Sequence, residues 1–197
     1  MGRADTKQRF LTATSELLRR QGYAGTGLKQ VTAEASAPWG SMYHFFPHGK
    51  EQLAIEAVHY ASELYGVPMA AAFARAKDPI KAVRMLFVNE VQVLEGSDYR
   101  DGCPITNTAG DVASTVEPVR EACSRGFAHW QAIIAAGFVD GGLSKPQAAT
   151  CAAFVLSSLE GAILLSRTHK SPEPLRATGQ MVELALKAIM ARSANGQ

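Results

Sequence analysis

Apolar side chains in this chain recur every three or four residues and nowhere alternate convincingly, a period that belongs to helices rather than strands. Phe10, Ala13, Leu17 and Leu18 mark a first helix over about Thr6 to Gln21, with Gly22 placed as a left-handed cap. Thr26 stands as an N-cap before a second helix whose inner face is Leu28, Val31 and Ala35. Ser36-Ala37 makes a turn, and Pro38 takes the first position of a third helix ending near Phe45. Proline's fixed φ suits that position, and the N–H it lacks would have had no partner there. This third helix is roughly 12 Å long at about 1.5 Å per residue. A fourth helix starts at Pro47-His48-Gly49-Lys50-Glu51, carries Leu53, Ala57, Tyr60 and Leu64, and runs on towards Phe73.

The second half continues the pattern. Asp78-Pro79 caps a helix bearing Ile80, Val83, Leu86, Phe87, Val91 and Leu94. The segment from Gly96 to Gly110 is irregular, with a short helix expected over Ile105 to Val112. A longer helix, Val116 to Val139, carries Val119, Cys123, Phe127, Trp130, Ile134 and Phe138, and Gly141-Gly142 ends it. Ser144-Lys145-Pro146-Gln147 is a capping box opening a helix of low charge to about residue 168. Ser171-Pro172 opens the last, with Leu175, Met181, Leu184, Ala185 and Ala188. The expected fold is all-α, about nine helices.

Val31 to Phe46 reads as the second half of a helix-turn-helix, because the third helix is of a length that fits the DNA major groove. Composition shifts near residue 60 from basic and polar to alanine-rich without a Pro/Gly/Ser linker. The expected organisation is therefore a helix-turn-helix DNA-binding domain over 1–50, joined by a continuous fourth helix to a second helical domain over 51–197.

Charge adds a little. The net charge of +2 lies wholly in residues 1–60, where Arg3, Lys7, Arg9, Arg19, Arg20, Lys29 and Lys50 outnumber Asp5, Glu16, Glu34, Glu51 and Glu56. A hydrophobic content of 47% with 19% charged residues is that of a soluble globular protein. No apolar run approaches 18 residues, and the start is polar, so neither a membrane span nor a signal peptide is expected. Cys103, Cys123 and Cys151 are odd in number and far apart, which suits reduced thiols in the cytoplasm. No nucleophile–base set, phosphate-cradling loop or metal-ligand cluster has recognisable spacing, so neither an enzyme nor a cofactor is expected.

Gly40-Ser41-Met42-Tyr43-His44-Phe45-Phe46, followed by Lys50-Glu51-Gln52-Leu53, resembles the DNA-binding pattern of the TetR family of one-component transcriptional repressors over roughly residues 8–60. Gly102-Cys103-Pro104-Ile105 and the glycine of Phe46-Pro47-His48-Gly49-Lys50 resemble a branch that regulates multidrug-efflux and aromatic-compound-responsive genes. The resemblance implies that Thr26, Lys29, Tyr43 and Lys50 touch phosphates, that Pro38, Trp39, Ser41 and His44 face base edges or the adjacent backbone, and that Gly40 lets the helix come close. It also implies that Val31, Phe45, Phe46 and Leu53 are core. Two positions depart from the family: the turn residue, usually glycine, is Ser36, and the position before Gly40, usually polar or basic, is Trp39.

The resemblance further implies a homodimer formed by the last two long helices, an effector pocket in the C-terminal part, and a double-stranded operator as partner. Aromatic and methionine side chains suit a planar, mostly apolar ligand, and the expected lining is Tyr65, Met69, Phe73, Phe87, Val91, Asn107, Phe127, Trp130, Gln131 and Ile134. The function expected is a ligand-responsive repressor on a palindromic operator. The alternative is a helical small-molecule-binding dimer with weak or lost DNA binding.

Overall fold

The computed structural model describes residues 3–194. Among them the helices are α1 (Arg3–Gly25), α2 (Leu28–Glu34), α3 (Trp39–Phe45), α4 (Gly49–Ala76), α5 (Pro79–Gly96), α6 (Pro104–Val112), α7 (Glu117–Asp140), α8 (Lys145–His169) and α9 (Glu173–Ala194), with no strand among the described residues. The fold is all-α, as the period indicates. The chain forms two compact units: the residues up to Leu64 with Cys103–Phe127, and Tyr65–Gly102 with the residues from Ala128 onward.

The first unit is built on a core of Phe10, Ala13, Leu17, Val31, Ala35, Met42, Phe46 and Leu53. Phe10 meets Phe46 edge-on, ring centroids 6.0 Å apart, and Phe45 at 6.4 Å. A smaller cluster joins Ala54 to Val112 and Val119. The boundary expected at residue 50 thus falls inside this unit. Leu53 and Ala54 are needed to close it, and α6 lies along α1.

Contact between α1 and α6 explains Gly22. There the helix breaks at φ +71 and ψ −173, so this is not the left-handed cap expected but an extended positive-φ conformation almost confined to glycine. An added Cβ would collide with the Asp111 carboxylate and come within 3.1 Å of the Asn107 carbonyl. Asp111 Oδ2 accepts from the Ala24 N–H at 2.9 Å, and Asn107 Nδ2 donates to the Arg19 carbonyl at 2.7 Å. Both side chains of α6 satisfy backbone groups that the break exposes.

Two helix starts differ from expectation. Thr26 does not cap α2; Gly27 holds that place, while the buried Thr26 hydroxyl donates to the Gly22 carbonyl at 2.6 Å. Pro38 is the N-cap of α3, at φ −61 and ψ 141, and Trp39 is its first helical residue. The irregular segment holds α6, one residue longer than expected, with Pro104 in its first turn and the Cys103 sulfur accepting from the Thr106 N–H at 3.4 Å.

In the second unit α5, α8 and α9 pack on one another. Asp78 accepts from Ile80 N at 2.9 Å, and Ser144 N donates to Gln147 Oε1 at 3.2 Å, so both expected caps form. Glycines allow close approach: an added Cβ at Gly179 would lie 3.0 Å from the Phe87 ring. Arg84 of α5 donates twice to Glu183 of α9, at 2.8 and 2.5 Å, and Lys187 adds a contact at 2.6 Å. Hydrogen bonds from Arg84 and then Lys187 hold the Glu183 carboxyl down to about 2. This pairing stabilises fully above the ordinary carboxylate range and fades as pH falls through about 2.

Apolar spacing along the fourth helix gives no sign of the interruption at Pro68. It lies inside α4 and, lacking an N–H, leaves the Leu64 carbonyl without its helical donor. By length and composition α8 could cross a membrane, contrary to expectation, but 44% of its apolar window is buried inside the protein.

Gly22→Ala should destabilise the protein by about 2 kcal/mol, from the forbidden backbone conformation together with the collision at Asp111. Thermal unfolding should show a fall of roughly 4–8 °C; an unchanged midpoint would mean the break relaxes freely.

Candidate nucleic-acid interface and effector cleft

A helix of seven residues has too few internal hydrogen bonds to persist alone, so α3 depends on what its inner face buries. Met42, fully buried, and Phe46, the buried C-cap, anchor it. Its other side is open. Pro38, Trp39, Gly40, Tyr43 and His44 are exposed, and Ser41 is half-buried. Trp39 and Tyr43, one turn apart, meet edge-on with ring centroids 5.8 Å apart, presenting an indole N–H and a phenol O–H beside apolar surface. A Cβ on Gly40 would touch nothing within 4 Å. Internal packing therefore does not require glycine there.

The residues expected at phosphates fare unevenly. Lys29 is exposed. Thr26, by contrast, is 3% exposed with its hydroxyl already donating, which leaves nothing to offer a phosphate. Lys50 is half-buried, its ammonium 4.4 Å from the centroid of the Tyr23 ring. Burial pulls its pKa down, and the nearby Asp111 carboxylate opposes that shift. Burial, then Glu51, raises the pKa of Tyr23. Several other basic side chains of this unit are paired: Lys7 with Glu56 at 2.7 Å, and Arg19 and Arg20 with Glu16 at 3.7 and 3.8 Å. Phe45 is partly rather than fully buried.

Ser36 has φ +48, the left-handed conformation its place in the turn demands, at a cost of about 1 kcal/mol relative to glycine. Above it lies Arg9, whose Nη1 donates to the carbonyls of Ala35 at 3.0 Å and Ser36 at 2.8 Å. Sequence reading missed this residue. Its partners are 26 and 27 positions away, and no local spacing marks it.

The side chains expected around an effector do not share one cavity. Phe73 lines a cleft of about 510 Å³ between α4 and α7, with Ala70, Ile133, Ala136 and Gly137 among its walls and Lys77, Asp78 and Asp140 supplying charge. Its size is within the range of small-molecule sites. Phe87 and Val91 instead line a groove of about 250 Å³ between α5 and α9. Trp130 and Ile134 are fully buried core, Met69 is buried, and Tyr65 and Gln131 are half-buried. Asn107 and the half-buried Phe127 belong to the first unit, and Asn107 is spent on the Arg19 carbonyl. Periodicity identifies the inner faces of helices; it does not say where those faces fail to meet.

All three cysteines are buried, and none is in a disulfide. Burial pushes Cys123 up to about 11 and raises Cys151, which keeps both as thiols rather than reactive thiolates. No group of three or more His, Cys, Asp or Glu side chains suited to a metal occurs among the described residues.

Comparison with known proteins places this geometry. Residues 10–57 match the family described as bacterial regulatory proteins, tetR family, and residues 79–181 match the transcriptional regulator LmrA/YxaF-like C-terminal domain. The chain belongs to the TetR family of transcriptional regulators. It is 32% identical to the HTH-type transcriptional regulator YxaF of Bacillus subtilis over 94% of this chain and 97% of that one. It is 35% identical to the HTH-type transcriptional regulator LmrA of the same organism over 89% and 93%. Solved structures with this fold include the regulatory protein TetR from Rhodobacter sphaeroides, at a TM-score of 0.80 and 22% identity over 89% of this chain and 96% of that one. The regulator CifR, solved with a 26 bp operator duplex, matches at a TM-score of 0.75 and 22% identity over 89% and 94%. This TetR-family chain is thus a DNA-binding transcriptional regulator and not an enzyme.

Proposed function

We propose that the protein is a cytoplasmic repressor that binds a palindromic operator as a homodimer and is released by a small, largely apolar or aromatic effector. The observation that carries the reading is the two-sidedness of α3. Met42 and Phe46 are sunk in the core, while Trp39, Gly40, Tyr43 and His44 are exposed on the other side, where a groove could meet them. CifR, which shares the fold, is known in complex with operator DNA. Trp39 would lie against a thymine methyl or a sugar, Ser41 and His44 would face base edges, and Lys29, with Tyr43, would meet phosphates.

The second unit supports the partner half of the proposal. Phe154, Leu164 and Leu165 on α8, and Met181 and Leu184 on α9, are 41–63% exposed, and Gly161 faces open space. These helices are apolar on two sides: Val155, Leu159, Val182 and Leu186 face inward. A two-fold pairing through the outer sides would bury the remainder and double the DNA sequence read. An effector in the α4–α7 cleft would press on the C-terminal turns of α4, the helix that begins at Gly49 beside α3. A coupling of about 1–3 kcal/mol would lower operator affinity roughly 5–150-fold.

A second reading keeps the ligand-binding dimer and gives up the DNA. The pairing of Lys7, Arg19 and Arg20 with carboxylates, and an indole where the family carries a polar or basic residue, favour it.

Fluorescence anisotropy with the duplex upstream of the protein's own gene, against a scrambled duplex, separates the two. The first reading expects at least about 10³-fold preference for the former; binding to neither at about 50 mM salt establishes the second. Trp39→Ala should shrink the preference. Lys29→Ala should weaken both complexes alike, with a salt slope reduced by about 0.9. Gly40→Ala should raise thermal stability by about 0.5–1 kcal/mol, as alanine does inside a helix, yet weaken operator binding.

Filling the cleft with Ala136→Trp should leave operator binding intact while abolishing its response to an aromatic compound that releases the wild type. A retained response would place the effector elsewhere.

Leu164→Arg combined with Leu184→Arg should sediment as a folded monomer and lose operator binding. A dimer that survives both changes would rule out this face.

A further inference from the structure

We propose that Arg9 is a positioning residue for DNA recognition: from α1 it clamps the α2–α3 turn and so sets the aim of α3. This inference rests on the DNA-reading function proposed above. The donors of the turn are already satisfied from within, since Ala35 N bonds the Val31 carbonyl, Ser36 N that of Ala33, and Ala37 N that of Thr32. The carbonyls of Ala35 and Ser36 lie just past the negative end of α2, where helix carbonyls run out of backbone donors. Arg9 Nη1 donates to both, at 3.0 and 2.8 Å. Its Nη2 donates to Thr6 Oγ1 at 3.3 Å, whereas the buried Nε has no hydrogen-bond partner and lies 3.9 Å from the Asp5 carboxylate, so the turn carbonyls are the nearest anchors of the guanidinium.

The clamp matters here because the left-handed turn position is Ser36 rather than glycine. The turn carries strain, and two charge-assisted hydrogen bonds offset it. Pro38, the N-cap of α3, follows two residues later. A helix of seven residues is about 10 Å long, so a tilt of roughly 10° at the turn would move its far end by nearly 2 Å. A hydrogen bond to a base edge tolerates only a few tenths of an ångström. Arg9 would therefore govern sequence reading without touching DNA, and its charge, committed to the turn, would not count among the phosphate contacts. Both bonds leave Nη1, whose N–H directions the planar guanidinium fixes; the freely rotating ammonium of lysine does not hold that geometry.

The test uses the full-length protein, the duplex upstream of its own gene, and a scrambled duplex. Arg9→Met removes the donors while keeping the apolar stem, and Arg9→Lys keeps the charge in case the first variant does not fold. For either variant the proposal expects about tenfold or greater loss on the upstream duplex, little change on the scrambled one, and an unchanged salt slope. Amide exchange of residues 34–38 in the free protein should quicken relative to the helices of the same unit. Adding Ser36→Gly should recover most of the lost preference. A salt slope reduced by about 0.9 would make Arg9 a phosphate contact and overturn the proposal, as would equal loss on both duplexes without faster exchange in the turn. If the wild type prefers neither duplex, the DNA-reading function fails on its own terms. Exchange in the turn then decides the clamp: unchanged rates in the Arg9 variants overturn it.

Discussion

Everything the first unit can present outward depends on the burial of Met42 and Phe46 against Phe10 and its neighbours. Seven residues cannot hold a helix against the entropy of an open chain. Anchoring by one face and by the C-cap solves that problem and imposes a division. Residues one turn apart on the inner side are fixed by packing, and those on the outer side are released from it. Trp39 and Tyr43, which pack against each other, form an exposed aromatic pair on that outer side.

This anchoring has a reach that the first fifty residues alone do not supply. Asn107 and Asp111, one turn apart on α6, bind the backbone of α1 and of the segment after its break at Gly22. Asp111 also sets the charge environment of Lys50. The compact unit around α3 therefore includes α6 and the start of α7. A change in α6 would be felt at Ala24 and Lys50.

Much of this was legible in the sequence, and the reason is locality. Helix faces and the caps at Asp78 and Ser144 follow from residues within a few positions of one another, while the turn at Ser36 and the outward residues of α3 were legible through the family resemblance. What was missed depends on distance along the chain. Arg9 reaches 26 residues to the turn, Asn107 reaches 88 to Arg19, and Asp111 reaches 87 to Ala24. Thr26 has the right residue type for a cap, but its hydroxyl found the Gly22 carbonyl instead, because the break at Gly22 leaves that carbonyl open. The scattered effector residues fail for a further reason. A cavity is the place where apolar faces do not close, and periodicity records only that the faces exist.

The second unit carries the complementary constraint. The outer sides of α8 and α9 carry large apolar residues, and a monomer leaves Leu164, Leu165, Met181 and Leu184 in water. A reading head that recognises only a few base pairs is weak by itself, and a sticky face is a liability by itself. Two-fold pairing would resolve both with one operation, since the symmetry that covers the face also repeats the head. The glycines then take on different meanings. Gly22 and Gly179 are dictated inside the chain by Asp111 and Phe87, whereas Gly40 and Gly161 touch nothing within it. Within helices, glycine without an internal reason costs stability. Gly96 and Gly110 are equally open, so openness alone does not mark a contact; at Gly40 and Gly161 it coincides with the exposed sides of α3 and α8, where DNA at one and a second copy of the chain at the other would supply the reason.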